Sequence, residues 1–444
     1  MSTALDELLE AAHAAAKQAQ ACGADHAKAA VVRSRGVDIE WRDGQLDKVQ
    51  ERTRRALSIE LYVDGRYSAS STNDLRPEAV EAFIGEAVSM TRLLEPDPHR
   101  ALPDPARYAG RADVDLDLFD PAVHGISTEQ RLKRARDLEA LVREGAGDLP
   151  IVSVSTSVDD GFSQSARVHT NGFEGAREGT TFSYAAMVTV KDADGRRPMG
   201  WDYAYRRHLS DLAPIERVAA VAREKARAQL GAGKLPTGKY PIVVENRALP
   251  RLLSALLAPL SGPSLQQRRS LWEGRLGDKI ASELLTIIDA PHTPRGLGSA
   301  LWDGDGFATT RRPIIEKGVL QTYLIDDYYA RKMGVEATSA DTHNFEWAYG
   351  EKDLDGLLAQ VGDGVLIERF LGGNSNQTTG ELSFGCAGRR IRGGKLAEPV
   401  AEVNLSGHFG QLWERRVAVG NDPNPDSSAQ CPSCVFDAVQ LSGS

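Results

Sequence analysis

Two cysteines near the end of the chain, Cys431 and Cys434, have the CxxC spacing of a redox pair or of half a zinc site. Thiolates at this spacing exchange with disulfides or bind zinc. The sequence contains no second CxxC, and the pair precedes a predicted strand instead of opening a helix. The pattern therefore favours a structural role for these cysteines.

His343 and Glu346 form a second group with chemical potential, because they are three residues apart and Asp341 is close by. Imidazole and carboxylate groups bind metal ions, so a metal site is one interpretation and a structural role is the other. No GxSxG segment marks a serine nucleophile. Four further histidines stand alone in turn-like segments, which is not typical of a catalytic group: His169, His208, His292 and His408.

The segment from Gly233 to Lys239 has the glycine and lysine spacing of a phosphate-binding P-loop. Tyr240 stands where that motif needs Ser or Thr to hold magnesium. The segment also precedes a predicted strand, whereas a P-loop follows one. We interpret residues 231–239 as a linker between domains and not as a nucleotide site.

The first half of the chain predicts helices alternating with antiparallel strands. Apolar residues at helical spacing predict a helix over residues 4–21. Alternating residues in 29–70 predict strands, with tight hairpin turns at Asp43-Gly44 and Asp64-Gly65. Three further helices are predicted: one after Asp74, one from Ser127 or Thr128 to Gly145, and one over 212–230. Between the last two helices we predict a meander of strands at 151–160, 164–172, 179–195 and 198–207.

The second half is predicted to be mostly β, with a hairpin turn at Lys317-Gly318 and a short helix over 326–332. Its first part, residues 246–284, begins with an apolar helix. In that helix a set of leucines fits a plain buried stripe: Leu253, Leu256, Leu257 and Leu260. No side chain in the stripe binds a metal.

We therefore predict an α+β protein with an N-terminal half of mixed sheets and helices and a mostly β C-terminal half. The predicted regions are an α+β region at 1–120, a strand meander with flanking helices at 121–232, and a C-terminal domain at 240–444.

Composition excludes several classes of partner. The net charge of −9 leaves no surplus of Lys and Arg to bind a nucleic-acid backbone. Four scattered cysteines do not form a disulfide framework, which is typical of a reducing compartment. The N-terminal residues do not have the basic start and apolar run typical of a signal peptide, and no apolar run is long enough to cross a bilayer. These features predict a cytoplasmic protein that binds neither nucleic acid nor membrane.

Several collinear segments together resemble the TldD/PmbA family of metallopeptidase subunits and their paralogues. The resemblance covers nearly the whole chain. It implies that the C-terminal half of this protein is barrel-like. The segments that carry it are residues 42–75, 276–291, 296–334, 378–391 and 432–443.

The family has two kinds of subunit, and the TldD kind carries the zinc motif HExxxH on the helix after the central boundary. The resemblance places the two His and the Glu of that motif at Leu253, Ser254 and Ala258. None of these side chains binds zinc or acts as a base. The cysteine ligand of TldD-type subunits falls close to Ala418. The chain therefore resembles the TldE (PmbA) kind, in which His343-Asn344 has a structural or groove-lining role.

The resemblance implies that this chain binds no cofactor and has no catalytic or metal-ligating residue of its own. A TldD-type partner would supply the zinc in a heterodimer that cleaves unfolded peptides or small proteins. Whether the chain is itself an enzyme is therefore left open. Two alternatives remain: a stand-alone homodimer that binds extended peptides by strand addition, and an enzyme whose metal site is assembled from scattered His and acidic residues.

Overall fold

The computed structural model describes residues 3–443. Its helices are α1 (Thr3–Ala21), α2 (Pro77–Thr91), α3 (Thr128–Glu144), α4 (Ile215–Arg227), α5 (Leu249–Leu257), α6 (Gly262–Gln266), α7 (Asp327–Met333), α8 (Leu354–Val361) and α9 (Phe409–Glu414). Its strands in the first half are β1 (His26–Arg42), β2 (Gln45–Val63), β3 (Arg66–Thr72), β4 (Ile151–His169), β5 (Glu174–Val190) and β6 (Met199–Arg206).

The strands of the second half are shorter and more numerous. They are β7 (Gly238–Val244), β8 (Ile287–Asp289), β9 (Arg312–Glu316), β10 (Val319–Leu320), β11 (Phe345–Trp347), β12 (Gly364–Ser375), β13 (Glu381–Arg392), β14 (Lys395–His408), β15 (Arg416–Val419) and β16 (Cys434–Ser442). The predicted α+β class is confirmed. No helix within residues 3–443 is long and apolar enough to cross a membrane.

The first half folds around one antiparallel sheet of order β3-β2-β1-β4-β5-β6. Strand β1 pairs with β4 from Lys28–His169 to Arg42–Ser155, so the sheet continues from the predicted first region into the second. The domain boundaries themselves stay a prediction. The predicted hairpins are confirmed, and Asp43 and Asp64 both have positive φ, as this type of tight turn requires.

One sheet segment differs from its prediction. Residues 151–160 and 164–172 were expected to be separate strands, but β4 runs unbroken from Ile151 to His169. Gly161 allows this continuity because it lies opposite Gly36, where a Cβ would come 2.6 Å from the carbonyl oxygen of Arg35. The predicted helix over 212–230 is shorter in the structure, because α4 begins only after Pro214.

All four helices of the first half pack on the same face of this sheet. Helices α1 and α2 cover residues such as Leu57 and Ile59, and helices α3 and α4 cover residues such as Val158 and Val188. Helix α3 begins with a capping box between Ser127 and Gln130, which satisfies backbone donors of its first turn. The opposite face of the sheet is not covered by these helices.

The second half is built on a closed barrel of β7, β12, β13, β14 and β16. Pairing between β14 and β16, from Asn404–Ser442 to Ser406–Gln440, closes it. Strands β7 and β12 are parallel, and the other barrel pairs are antiparallel. The barrel-like C-terminal half expected from the resemblance is therefore confirmed. A second sheet, β10-β9-β8-β11, contains the predicted hairpin turn at Lys317-Gly318.

Candidate functional site

Helix α5, where the resemblance places the degenerate zinc motif, packs against the barrel. Leu249, Leu252, Leu253 and Leu256 belong to the same buried cluster as the barrel residues Val365, Phe384 and Leu405. Leucine favours a helix and its side chains at this spacing form one apolar face. The predicted buried stripe is present, although Leu257 is only partly buried.

The three degenerate positions do not converge on one point. Leu253 is only 3% exposed and lies in the core, whereas Ser254 points to solvent. Ala258 is beyond the end of the helix, in a 3-10 turn that runs to Leu260. The side chains at these positions offer neither a nitrogen ligand nor a carboxylate. That they correspond to a lost zinc motif stays a prediction.

The start of α5 is held by backbone and side-chain bonds to two other segments. The backbone amides of Ala248 and Leu249 both donate to the carbonyl oxygen of Glu245. The amide of Asn246 donates to the Ser433 hydroxyl, and its side chain donates to the carbonyl oxygen of Asp422. Burial raises the pKa of Glu245, although Lys225 at 3.6 Å opposes the shift.

A cluster of two buried carboxylates and three partly exposed arginines joins this end of α5 to the first sheet. Arg247 lies 2.9 Å from Asp202 on β6 and 2.9 Å from Asp426 in the loop before β16. Arg217 on α4 approaches the same two carboxylates at 3.4 and 3.8 Å, and Arg206 pairs with Asp426. Burial raises the pKa of Asp202 even though Arg247 and Arg217 lower it. The cluster fixes the orientation of α5 relative to β6.

A cavity of about 740 Å³ opens beside this cluster, between β6, α4, the start of α5 and strands β12–β14. Arg247, Ala248 and Arg251 of the α5 region line it, but none of the three degenerate positions does. Its other charged side chains include Arg197 and Arg369. The cavity is large enough for several residues of an extended peptide or a small organic molecule.

Strand β12 presents an unpaired edge next to this cavity. Its pairing with β7 covers only Val365–Ile367, whereas its pairing with β13 continues to Ser375. Arg251 of α5 donates to the carbonyl oxygen of Gly373 at 2.6 Å on this edge. Among residues 3–443 no strand pairs with 369–375 on that side. An exposed strand edge of this kind can accept an additional strand.

The structure separates the side chains of the possible metal site at 341–346. His343 is buried with its Nδ1 3.1 Å from a carboxylate oxygen of Asp289. Glu346 instead pairs with Arg311 on the surface at 2.6 Å. Within residues 3–443 no group of three or more His, Cys, Asp or Glu side chains is arranged to hold a metal ion.

Asn344 connects neighbouring backbone segments. Its amide nitrogen donates to the carbonyl oxygen of Ala290 at 3.0 Å and to the Ser299 hydroxyl at 2.8 Å. Its oxygen accepts from the amide of Gly298 at 2.9 Å. These bonds hold the loop at 290–299 against the strand that follows Asn344.

Cys431 and Cys434 are both fully buried. Burial raises the pKa of the Cys431 thiol, and it raises the pKa of the Cys434 thiol to about 11 although nearby Arg416 opposes the shift. A guanidinium nitrogen of Arg416 lies 3.9 Å from the Cys434 sulfur. Neutral, inaccessible thiols are poor nucleophiles, because the thiolate is the reactive form.

Sequence reasoning missed the charged side chains around the start of α5. Asp202, Arg247 and Asp426 come from three segments that are distant in sequence, and none of them belongs to a recognisable motif. The available signal was weak: a run of charged and aromatic residues in the β6 segment, WDYAYRR, on a strand that also packs against a helix.

Comparison with protein families matches nearly the whole chain. Residues 27–91 match the PmbA/TldA metallopeptidase domain 1, residues 122–230 match the central domain of that family, and residues 237–443 match its C-terminal domain. The three matches are in chain order. They leave outside the N-terminal residues 1–26, which include α1, the connecting segments 92–121 and 231–236, and the last residue.

Individual relatives agree with the family matches. Metalloprotease PmbA of Escherichia coli O157:H7 is 29% identical over 98% of this chain and 96% of its own length. A crystal structure of a proposed modulator of DNA gyrase from Bacteroides thetaiotaomicron is 38% identical, covers 99% of both chains and has a TM-score of 0.95. The structure of TldE from Thermococcus kodakarensis, at 20% identity, covers 98% of this chain and 100% of its own with a TM-score of 0.87, and it shows a shared fold.

Proposed function

The chain belongs to the PmbA/TldD family of metallopeptidases, and from this premise we propose that it is a non-catalytic partner subunit of a TldD/TldE-type zinc peptidase. The substrates of that peptidase would be unfolded peptides or small proteins. A TldD-type subunit supplies the zinc, its ligands and the base, and this chain supplies part of the cleft wall and the interface.

The observation that carries the proposal is the chemistry of α5. Leu253, Ser254 and Ala258 stand where the resemblance places the zinc motif, and Leu253 is part of the barrel core. A zinc peptidase needs imidazole or carboxylate ligands and a base that activates the bound water. A helix with a buried leucine at a ligand position supports a subunit that relies on its partner for catalysis.

The test measures zinc and cleavage for the chain alone and after mixing with a TldD-type relative. Alone, the chain should hold less than stoichiometric zinc by mass spectrometry and should leave an unfolded peptide uncut. After mixing, size exclusion should show a mixed species that holds zinc and cleaves the peptide. Ser254→Ala serves as the matched control, because this position stands in place of the base and the change should leave cleavage by the mixed species unaltered.

Two results would overturn the proposal. One is peptide cleavage by a clean preparation of this chain that survives removal of every TldD-type protein. The other is failure of the two chains to form a mixed species at concentrations where each is folded. Loss of cleavage in the Ser254→Ala control would show that this chain contributes directly to the chemistry.

A second function is favoured by the free edge of β12. A stand-alone homodimer could bind an extended peptide along residues 369–375, where the backbone lacks a second strand partner. Its discriminating result is persistence as a homodimer that binds peptide with no mixed species. Size exclusion with and without the TldD-type relative therefore distinguishes the two functions.

A further inference from the structure

We propose that the cavity between β6 and β12 is a subsite for a peptide carboxylate, either the C-terminal carboxylate or an Asp or Glu side chain. The inference rests on the proposed function and deepens it, because it names a chemical class of peptide for the cleft wall. It is carried by the charge, burial and apolar lining of the cavity.

The lining of this cavity carries an excess of positive charge. Arg197, Arg251 and Arg369 line the cavity, and among residues 3–443 none of them forms an ion pair with a carboxylate. The acidic side chains of the lining already have cationic partners, since Glu368 lies 2.7 Å from Arg389 and Glu402 lies near Lys234. The cavity therefore has room for an anion that the chain itself does not supply.

Arg369 is the least solvated of these side chains. It donates to the backbone carbonyl oxygen of Met199 at 3.2 Å, and its other guanidinium donors have no hydrogen-bond partner within residues 3–443. Burial lowers the pKa of Arg369, because water has been removed around its charge. A ligand carboxylate would restore the lost electrostatic stabilisation and can accept two parallel hydrogen bonds from a guanidinium.

Part of the cavity lining is apolar. Trp201 is 51% exposed and Leu371 is 55% exposed, and they lie at this cavity from opposite strands. Trp201 stacks on Tyr203 with ring centroids 5.5 Å apart, which holds the indole in place. Exposed aromatic and aliphatic groups beside cations match a ligand with an apolar body and an anionic end.

The unpaired edge of β12 beside the cavity favours a peptide ligand over a small free anion. Gly372 lines the cavity and belongs to the segment of β12 whose outer edge is unpaired. A peptide added along that edge would extend towards the arginines, so its carboxylate and its backbone would be bound by adjacent parts of one surface. Inorganic phosphate has only the charge in common with such a ligand.

The experiment uses the full chain and a short fluorescein-labelled peptide with an apolar penultimate residue, prepared as the free acid and as the C-terminal amide. Fluorescence anisotropy should show about tenfold tighter binding of the acid, as expected for one charge-assisted interaction. A second pair of amidated peptides differs only by an internal Glu or Gln. Preference for the free acid assigns the C-terminal carboxylate, and preference for Glu assigns a side chain.

Substitution tests the assignment to this cavity. Arg369→Gln should abolish the preference for the carboxylate, whereas Arg54→Gln should leave it intact because Arg54 is exposed on β2 and does not line the cavity. Arg197→Gln is the second variant, since its exposed position tolerates substitution if Arg369→Gln fails to fold. Circular dichroism verifies folding of each variant.

Equal binding of acid and amide, and of the Glu and Gln peptides, would overturn the inference. So would a carboxylate preference that persists in both arginine variants, or competition by inorganic phosphate as strong as competition by the free-acid peptide. These outcomes are independent of zinc content and of the mixed species. The subsite can therefore fail while the proposed function stands, and absence of a mixed species can refute the function while carboxylate binding remains.

Discussion

Helix α5 packs against the barrel through apolar side chains, whereas its junction with the first sheet is made by charged side chains. The barrel side of α5 is apolar, with Leu252, Leu253 and Leu256 in the core. A few residues earlier, the partly exposed Arg247 lies between the buried carboxylates of Asp202 and Asp426. The hydrophobic effect stabilises packed apolar groups without requiring a particular orientation, whereas an ion pair with a buried carboxylate is stable only when its atoms are well placed. The barrel therefore stabilises the helix, and the junction sets its orientation.

The same comparison indicates where ligand recognition belongs in this chain. Of the three positions expected for the zinc motif, Leu253 lies in the core, whereas the cations without an ion-pair partner within residues 3–443 lie around the neighbouring cavity. Substitutions on the two sides of α5 should therefore differ in what they change.

Arg247→Ala should destabilise the protein most. Removal of one partner from a buried ion pair costs up to roughly 3–5 kcal/mol. Asp426 would keep Arg206 and Arg217, but the remaining ion-pair partner of Asp202 would be Arg217, at the longer distance of 3.4 Å. Asp202 is fully buried, so this cost applies to it directly. Chemical unfolding should show the loss in the free energy of unfolding.

The double variant Arg247→Met with Asp202→Asn is the control for this prediction. It removes one cation and one carboxylate together, so it should recover part of the lost stability. If Arg247→Ala changed stability no more than an ordinary surface substitution, the junction would not depend on this cluster.

Leu253→Ala should have the next largest effect, with a loss of roughly 2–5 kcal/mol from lost burial and a new cavity. Ser254→Ala, at the adjacent exposed position, should change the free energy of unfolding by less than about 0.5 kcal/mol. Urea unfolding of the two variants compares a buried and an exposed position of the same predicted motif. Similar losses for both would contradict the packing described for α5.

Asp159→Asn should have the smallest effect and should depend on pH. Burial, with a smaller contribution from Asp38 on the neighbouring strand, raises the pKa of Asp159 from 3.8 to about 6. Between pH 3.8 and about 6 the folded state holds a proton on Asp159 that the unfolded state has lost. The free energy of unfolding should therefore fall as the pH rises through this range.

Above about pH 6 the Asn variant should be more stable than the natural protein, because it places no charge at this partly buried position. The gain should not exceed the roughly 3 kcal/mol that the rise of the Asp159 pKa from 3.8 to about 6 represents. Below pH 3.8 the two should unfold alike. Thermal unfolding across the pH range measures both, with Asp113→Asn as a control at an exposed position. A variant whose stability falls with pH as steeply as that of the natural chain would refute the assignment to Asp159.

Local features of the fold were predictable because neighbouring residues dictate them. Asp-Gly pairs at 43–44 and 64–65 accept the positive φ of tight hairpins, and Ser127 caps α3 through its own side chain. The continuity of β4 was not predictable in this way. It depends on Gly161 meeting Gly36 of another strand, a contact that the spacing within either segment does not encode.

The candidate site divides along the same line. By itself the sequence determined the helix-forming apolar stripe of α5, the absence of ligand side chains at Leu253, Ser254 and Ala258, and the resemblance that makes this absence informative. Only the tertiary structure decided that Arg247 meets Asp202 and Asp426, and that three other cavity arginines have no carboxylate partner within residues 3–443: Arg197, Arg251 and Arg369. The physical reason is that helix periodicity acts over a few residues, whereas charge pairing and cavity shape depend on how distant segments pack together.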